Sequence, residues 1–294
     1  MAHSDSPFST LGLIGKLGAE QVRQTLKDLI RYLREEGYEI LLDRDSVALT
    51  GAFQAEAVSR QALGERSDLA IVVGGDGTLL NAARALSLFD VPLVGINLGR
   101  LGFLVDISPH EMRPHLDAIL HGHYQEERRF LLQGEVYREG ERIGHADALN
   151  DVVVHKGNLA RMIEFETYID ERFVYTQRAD GTIVATPTGS TAYVLSAGGP
   201  ILHPVLNALV IAPICPHTLS NRPMVVDGES TIRILISPHT QDAQITWDGQ
   251  INLGLMAGDR IEIRKRDHPV RLLHPPQYDY YALLRAKLHW GKHL

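Results

Sequence analysis

The stretch Leu69–Leu80, LAIVVGGDGTLL, decides the first half of the fold. Its first five residues read as a buried strand, Gly74 and Gly75 break it, and TLLNAARALSL (78–88) restores apolar residues at helical spacing. A strand, a glycine turn and a helix form half of a βαβ unit. Such a turn stands at the carboxyl end of a strand, where open α/β sheets bind ligands. Glycines there let backbone N–H groups approach an anion, and the helix adds the positive end of its dipole. Asp76 sits inside that turn and opposes it. Either Asp76 or Thr78 caps the helix, or Asp76 does chemistry that anion binding alone does not need. Two familiar phosphate loops fail on residues. A dinucleotide fingerprint starting at Gly75 needs glycine or alanine where Leu80 stands, and a P-loop needs lysine followed by serine or threonine.

Upstream, LGLIGK (11–16) is a short apolar run, Val22, Leu26, Leu29, Ile30 and Leu33 repeat at helical spacing, and YEILLD (38–43) reads as a strand. Downstream, VPLVGIN (91–97) follows the second helix. Strands alternating with helices predict a parallel, Rossmann-like sheet. After about residue 128 the period changes to two. In MIEFETYID (162–170), Ile163, Phe165, Thr167 and Ile169 alternate with Glu164, Glu166, Tyr168 and Asp170. LLQGEVY (131), DVVVHK (151), TIRILIS (231) and DRIEIRK (259) are similar, and AQITWDGQINL (243–253) reads as a hairpin turning at Asp248-Gly249. Helical spacing returns in DYYALLRAKLHW (279–290), after HPPQ (274–277) as a hinge.

A chain of 294 residues is longer than one core usually supports. These patterns predict an α/β domain over 1–128, joined by a C-terminal helix in 278–294 that folds back on it, and a mainly antiparallel all-β domain over 129–277.

Composition narrows the function classes. Hydrophobic residues are 44% and charged residues 22%, with no apolar run of membrane-spanning length. The net charge of -7 disfavours nucleic acid as a partner. MAHSDSPFST reads as a loose tail without a secretory or transit signal. The single cysteine, Cys215 in LVIAPICPH, forms no internal disulfide, and its apolar neighbours predict a buried thiol in a cytoplasmic protein.

A second polar loop, DGTIVATPTGSTAYVLSAGGP (180–200), lies in the β half. Thr186, Thr188, Ser190, Thr191 and Ser196 supply hydroxyls suited to ribose and phosphate oxygens, and a helical turn is expected near Thr191. Taken alone, the loop reads first as an ordinary Ser/Thr-rich turn. The segments GGDGTLL (74–80), GINLGRLGFL (95–104), ALNDVVVHKG (148–157), RMIEFETYID (161–170), QRADGTIVATPTGSTAYVLSAGGPIL (177–202) and WDGQ (247–250) together resemble NAD kinases of the bacterial type. GGDGT alone is shared with lipid kinases. The TPTGSTAY block with Asn150-Asp151 is far more specific.

The resemblance implies transfer of the γ-phosphoryl group of ATP to the 2′-hydroxyl of the adenosine ribose of NAD, giving NADP and ADP. It implies that Asp76 is the proton acceptor, since a carboxylate in reach of a ribose hydroxyl can orient it and take its proton. It further implies nucleotide contacts from Asp76, Gly77, Asn150, Asp151, Arg161, Arg178, Asp180, Thr191, Ala192, Tyr193, Val194, Leu195, Ser196 and Gln250. Arg161 stands where relatives carry histidine or another residue. Read as residues alone, Asn150 and Asp151 are first an Asx turn, and Arg178 is otherwise a salt-bridge partner of Asp180. Mg²⁺ or another divalent cation is expected on the ATP phosphates without an all-protein cage. His121 and His123, and His289 and His293, lack a third ligand and read as surface residues. The expected assembly is a homodimer or homotetramer with no membrane partner. Two rivals remain: a lipid kinase of the same superfamily, which should carry an apolar or basic membrane-facing surface, and a non-catalytic dinucleotide sensor.

Overall fold

The computed structural model describes residues 6–16, 20–46, 55–99, 102–157, 161–218 and 220–291. The chain forms two compact units, one of residues 1–128 with 270–294 and one of residues 129–269.

The first stretch of chain runs through β1 (Thr10–Gly15), α1 (Glu20–Glu35), β2 (Glu39–Asp43), β3 (Glu56–Val58), α2 (Arg60–Arg66), β4 (Leu69–Gly74), α3 (Asp76–Leu86), β5 (Leu93–Asn97), α4 (Met112–Leu120) and β6 (Gln125–Arg129). Five of these strands pair in parallel in the order β3-β2-β1-β4-β5. Every residue of β4 and β5 is buried, as central parallel strands covered on both faces require. Helix α1 supplies part of that cover, burying Val22, Leu26, Leu29, Ile30 and Leu33 in the same core as Leu11, Leu42 and Ile71. It stops at Gly37, whose φ of +89° allows a Schellman close: the Gly37 N–H donates to the Arg34 carbonyl at 2.9 Å and the Tyr38 N–H to Leu33 at 3.0 Å.

The second unit contains β7 (Leu132–Arg138), β8 (Glu141–Ala148), β9 (Asp151–Lys156), β10 (Ile163–Ile169), β11 (Arg172–Ala179), β12 (Gly181–Ala185), a 3-10 turn (Thr188–Thr191), α5 (Tyr193–Ser196), β13 (Ala208–Ile214), β14 (Met224–Asp227), β15 (Ile232–Ile236), β16 (Ala243–Trp247), β17 (Ile251–Leu255) and β18 (Arg260–Lys265). They build two six-stranded antiparallel sheets, β11-β10-β15-β18-β7-β8 and β14-β13-β12-β9-β16-β17. Phe165, Ile234 and Ile263 of the first sheet share a core with Val154, Val184 and Trp247 of the second. On the other face of the second sheet Val153, Ile183, Ala185 and Val210 pack with Val194 and Leu202. Trp247 pairs with Ile251, so Asp248, Gly249 and Gln250 close the hairpin; Asp248 and Gly249 turn the chain with left-handed φ of +50° and +61°, and the Gln250 N–H donates to the Trp247 carbonyl at 2.9 Å.

The chain then returns to the first unit through β19 (Val270–His274) and α6 (Tyr280–Leu288). The expected return after residue 277 is corrected here. β19 lies between β5 and β6 in the first sheet, with Leu272 opposite Leu93, so the return begins at Val270. A five-residue strand directly after the strand-rich domain carries no change of period to mark the crossing. Helix α6 starts at Asp279, whose carboxylate accepts the N–H groups of Tyr281 and Ala282 at 2.8 and 3.1 Å. Cys215 is also corrected. Strand β13 ends at Ile214, and the chain turns at Cys215 with φ of +44°, leaving the thiol exposed rather than buried. Among the described residues, no helix is long and apolar enough to cross a membrane.

Candidate active site

In the first unit, helix α3 begins at Asp76 directly after β4, but its N-cap is Gly75 and no side chain caps it. Neither Asp76 nor Thr78 plays that role. The Asp76 carboxylate turns to a neighbouring loop instead. Phe103 N–H donates to its Oδ2 at 2.8 Å, and Leu104 and Val105 N–H groups donate to Oδ1 at 3.2 Å each. Gly102 makes this approach possible, because a Cβ there would overlap the carboxylate. Asn97 steadies the loop through Nδ2 to the Val105 carbonyl at 3.2 Å and Oδ1 to the Gly99 N–H at 2.9 Å. A carboxylate offers about four lone-pair directions, so three bonds fix its orientation and leave room for another donor. Asp76 is partly exposed and Gly77 exposed. Arg100 and Leu101 of the same motif lie outside the described residues.

In the second unit, a cavity of about 560 Å³ opens beside β9, and Asn150, Asp151, Lys156, Asp180, Tyr193 and Asp248 are among its walls. That volume suits a small-molecule site. Its polar groups have distinct settings. Burial pushes the Asp151 carboxyl up, with the Asp248 charge adding to it, to about 7. Asp180 pairs with Lys156 at 2.9 Å, not with Arg178, which reaches Glu164 at 3.9 Å. Tyr193 is 45% exposed on the cavity wall. Burial pushes its hydroxyl up as well.

Of the expected contact residues, the cavity brings together Asn150, Asp151, Asp180, Ala192 and Tyr193. Ser196 lines an adjoining cavity of about 600 Å³ that shares Tyr193 and Ile214. Arg161, Arg178 and Gln250 are exposed outside both linings, Leu195 is half-buried, and Val194 is a core residue. The hydroxyls of the 180–200 loop also differ from the sequence reading. Thr186 Oγ1 donates to the Leu149 carbonyl at 2.5 Å, Ser190 to Pro187 at 2.6 Å and Thr191 to Thr188 at 3.2 Å, while Thr188 Oγ1 accepts from Arg129 at 3.2 Å. These side chains shape the loop, because buried carbonyls need donors before any ligand does. Lys156, His155 and Asp248 line the main cavity and were missed. His155 and Lys156 lie inside the quoted DVVVHK strand, where a polar end following three valines was the available signal.

Among the described residues, no group of three or more His, Cys, Asp or Glu side chains is placed to hold a metal.

Family models of the ATP-NAD kinase N-terminal and C-terminal domains match residues 11–124 and 149–274. The chain belongs to the ATP-NAD kinase family. NAD kinases of Aeromonas salmonicida and Nitrosococcus oceani are each 51% identical to it, over 99% and 98% of this chain and 99% of each relative. Among solved structures, an NAD kinase from Archaeoglobus fulgidus in complex with ATP is 27% identical, with a TM-score of 0.74 over 96% of this chain and 100% of that one. Yeast NADH kinase complexed with NADH shares the fold at a TM-score of 0.89 and 24% identity, over 100% of this chain and 94% of that one. The activity is accordingly that of an NAD kinase, a phosphotransferase using ATP and NAD.

Proposed function

We propose that Asp76 is the proton acceptor in transfer of the ATP γ-phosphoryl group to the 2′-hydroxyl of the adenosine ribose of NAD. The observation that carries this is the anchoring of the Asp76 carboxylate by the Phe103, Leu104 and Val105 N–H groups at the carboxyl end of a central parallel strand. A base held at a fixed orientation loses little freedom when it meets the hydroxyl, and ordering of this kind is what phosphoryl transfer asks of a protein. The proton leaves the ribose oxygen for the Asp76 carboxylate as the bond to phosphorus forms, and ADP departs with the former bridging oxygen. Gly77 lies in the first turn of α3, where the positive end of the helix dipole favours phosphate. Mg²⁺ on the ATP phosphates supplies charge neutralisation.

The dinucleotide is assigned to the second unit. Asn150 and Asp151 bond adenine or ribose edges, Asp180 and Tyr193 contact the rest of the ligand, and Arg161, Arg178, Thr191, Ala192, Val194, Leu195, Ser196 and Gln250 complete the proposed contact set. The assembly is a homodimer or homotetramer in the cytoplasm, which light scattering and fractionation test. The main test is turnover: Asp76→Asn lowers NADP formation from ATP, Mg²⁺ and NAD by roughly 10²- to 10⁴-fold. Turnover near wild type overturns the assignment.

A further inference from the structure

The residue before Gly249 could be any that tolerates a left-handed turn, and asparagine or aspartate both serve a hairpin. Asp248 does more than turn the chain. Its carboxylate reaches a segment 97–99 residues away in sequence, accepting Leu149 N–H at Oδ2 (3.1 Å) and the N–H groups of Asn150 and Asp151 at Oδ1 (2.8 and 3.3 Å). The Asp248 N–H in turn donates to the Asp151 carbonyl at 2.9 Å. Leu149 is fully buried and Asp151 5% exposed, so these N–H groups would otherwise sit away from water at a cost. The carbonyl side of the segment is held independently. Thr186 Oγ1 donates to Leu149 and the Thr186 N–H to Asn150, at 2.5 and 2.9 Å. Gly189 passes so close to the Asn150 carbonyl that a Cβ there would collide with it.

We propose that Asp248 is a positioning residue for dinucleotide binding: by gripping three successive N–H groups it fixes the Asn150–Asp151 pair at the cavity wall, and its charge sets how binding responds to pH. The inference rests on the assignment of the dinucleotide to this cavity. Asp248 and Asp151 both line the cavity, and the Asp248 charge acts on the Asp151 carboxyl. The other titratable groups on these walls are His155 and Lys156 of β9, Asp180 before β12 and Tyr193 of α5. Lys156 is engaged by Asp180 at 2.9 Å. Asp248 raises the Asp151 pKa, so removing its charge favours the ionised form of Asp151.

The test is Asp248→Asn in the full-length enzyme, with Asp248→Gly as a second variant that suits the turn and removes the side chain. KM for NAD is expected to rise about tenfold or more in both, with kcat falling far less. Binding of NAD by calorimetry across pH 5–9 shows an inflection from Asp151 in wild type, and that inflection moves to lower pH in Asp248→Asn. A purely structural turn residue would not move it. Asn150→Ala is measured alongside. Unchanged KM and inflection in the Asp248 variants, with KM raised in Asn150→Ala, overturn the positioning role and leave the cavity assignment standing. Unchanged KM in all three removes the dinucleotide from this cavity and the positioning role with it.

Discussion

Asp151 is a carboxyl whose surroundings push its titration up into the neutral range. Burial first, then the Asp248 charge, raise its pKa from 3.8 to about 7. Between those values the native state binds more protons than the unfolded chain, so stability falls as pH rises. The favourable contribution is complete below about 3.8 and lost as pH passes through about 7. Asp151→Asn keeps an uncharged group of similar shape at every pH. It is expected to stabilise the second unit by about 2–4 kcal/mol at pH 8 and to match wild type near pH 4. Urea titrations followed by the buried Trp247 check this, and equal stability at pH 8 would reject a strained carboxyl. At this scale the sequence names actors better than partners. Asp76 and Asn150-Asp151 stand out as letters, whereas their grips are backbone N–H groups and carbonyls, which every residue carries and no letter marks. The hydroxyls of the TPTGSTAY block mislead for the same reason, since their acceptors are carbonyls of Leu149, Pro187 and Thr188.

Elements were legible wherever periodicity was long. Helix α1 follows its apolar stripe, β10 its alternation of buried and half-buried residues, and the Asp248-Gly249 hairpin its turn pair. Short pieces escaped: β3 has three residues, and β12 is buried at all five positions, so neither shows a period. The end of α1 makes a sharp test of local chemistry. Gly37 adopts φ of +89°, which an L side chain disfavours by roughly 1–2 kcal/mol. Gly37→Ala is expected to lower stability by about 1 kcal/mol, read as a shift of the denaturant midpoint at constant slope. An unchanged midpoint would mean that another close of the helix is as good.

At the scale of the whole molecule, the return of the chain to the first unit bears on the loop that grips Asp76. His274 of β19 is 2% exposed, with Nδ1 3.1 Å from Asp106 and Nε2 3.3 Å from Glu127, and Tyr278 stacks on its ring at 3.9 Å. Asp106 follows directly on the Phe103–Val105 segment, and Lys287 of α6 lies 5.1 Å over the Phe103 ring. Burial alone would lower the His274 pKa, but the bonds to Asp106 and Glu127 outweigh it and the net shift is upward. The stabilisation is therefore full below the ordinary histidine value of 6.5 and lost as pH rises through the raised one. His274→Leu is expected to cost roughly 3–5 kcal/mol at pH 6, because two carboxylates lose their partner, and less at pH 9. A pH-independent deficit in thermal or urea denaturation would show that packing alone is lost. The division of labour between the units is tested most directly by steady-state kinetics of Asp76→Asn and Asn150→Ala measured together with ATP and Mg²⁺ saturating. The expected result is a split: kcat falls by roughly 10²- to 10⁴-fold in the first with KM for NAD little changed, while in the second KM for NAD rises roughly tenfold with kcat largely kept. Both variants losing kcat and KM alike, or Asp76→Asn turning over at the wild-type rate, would contradict it.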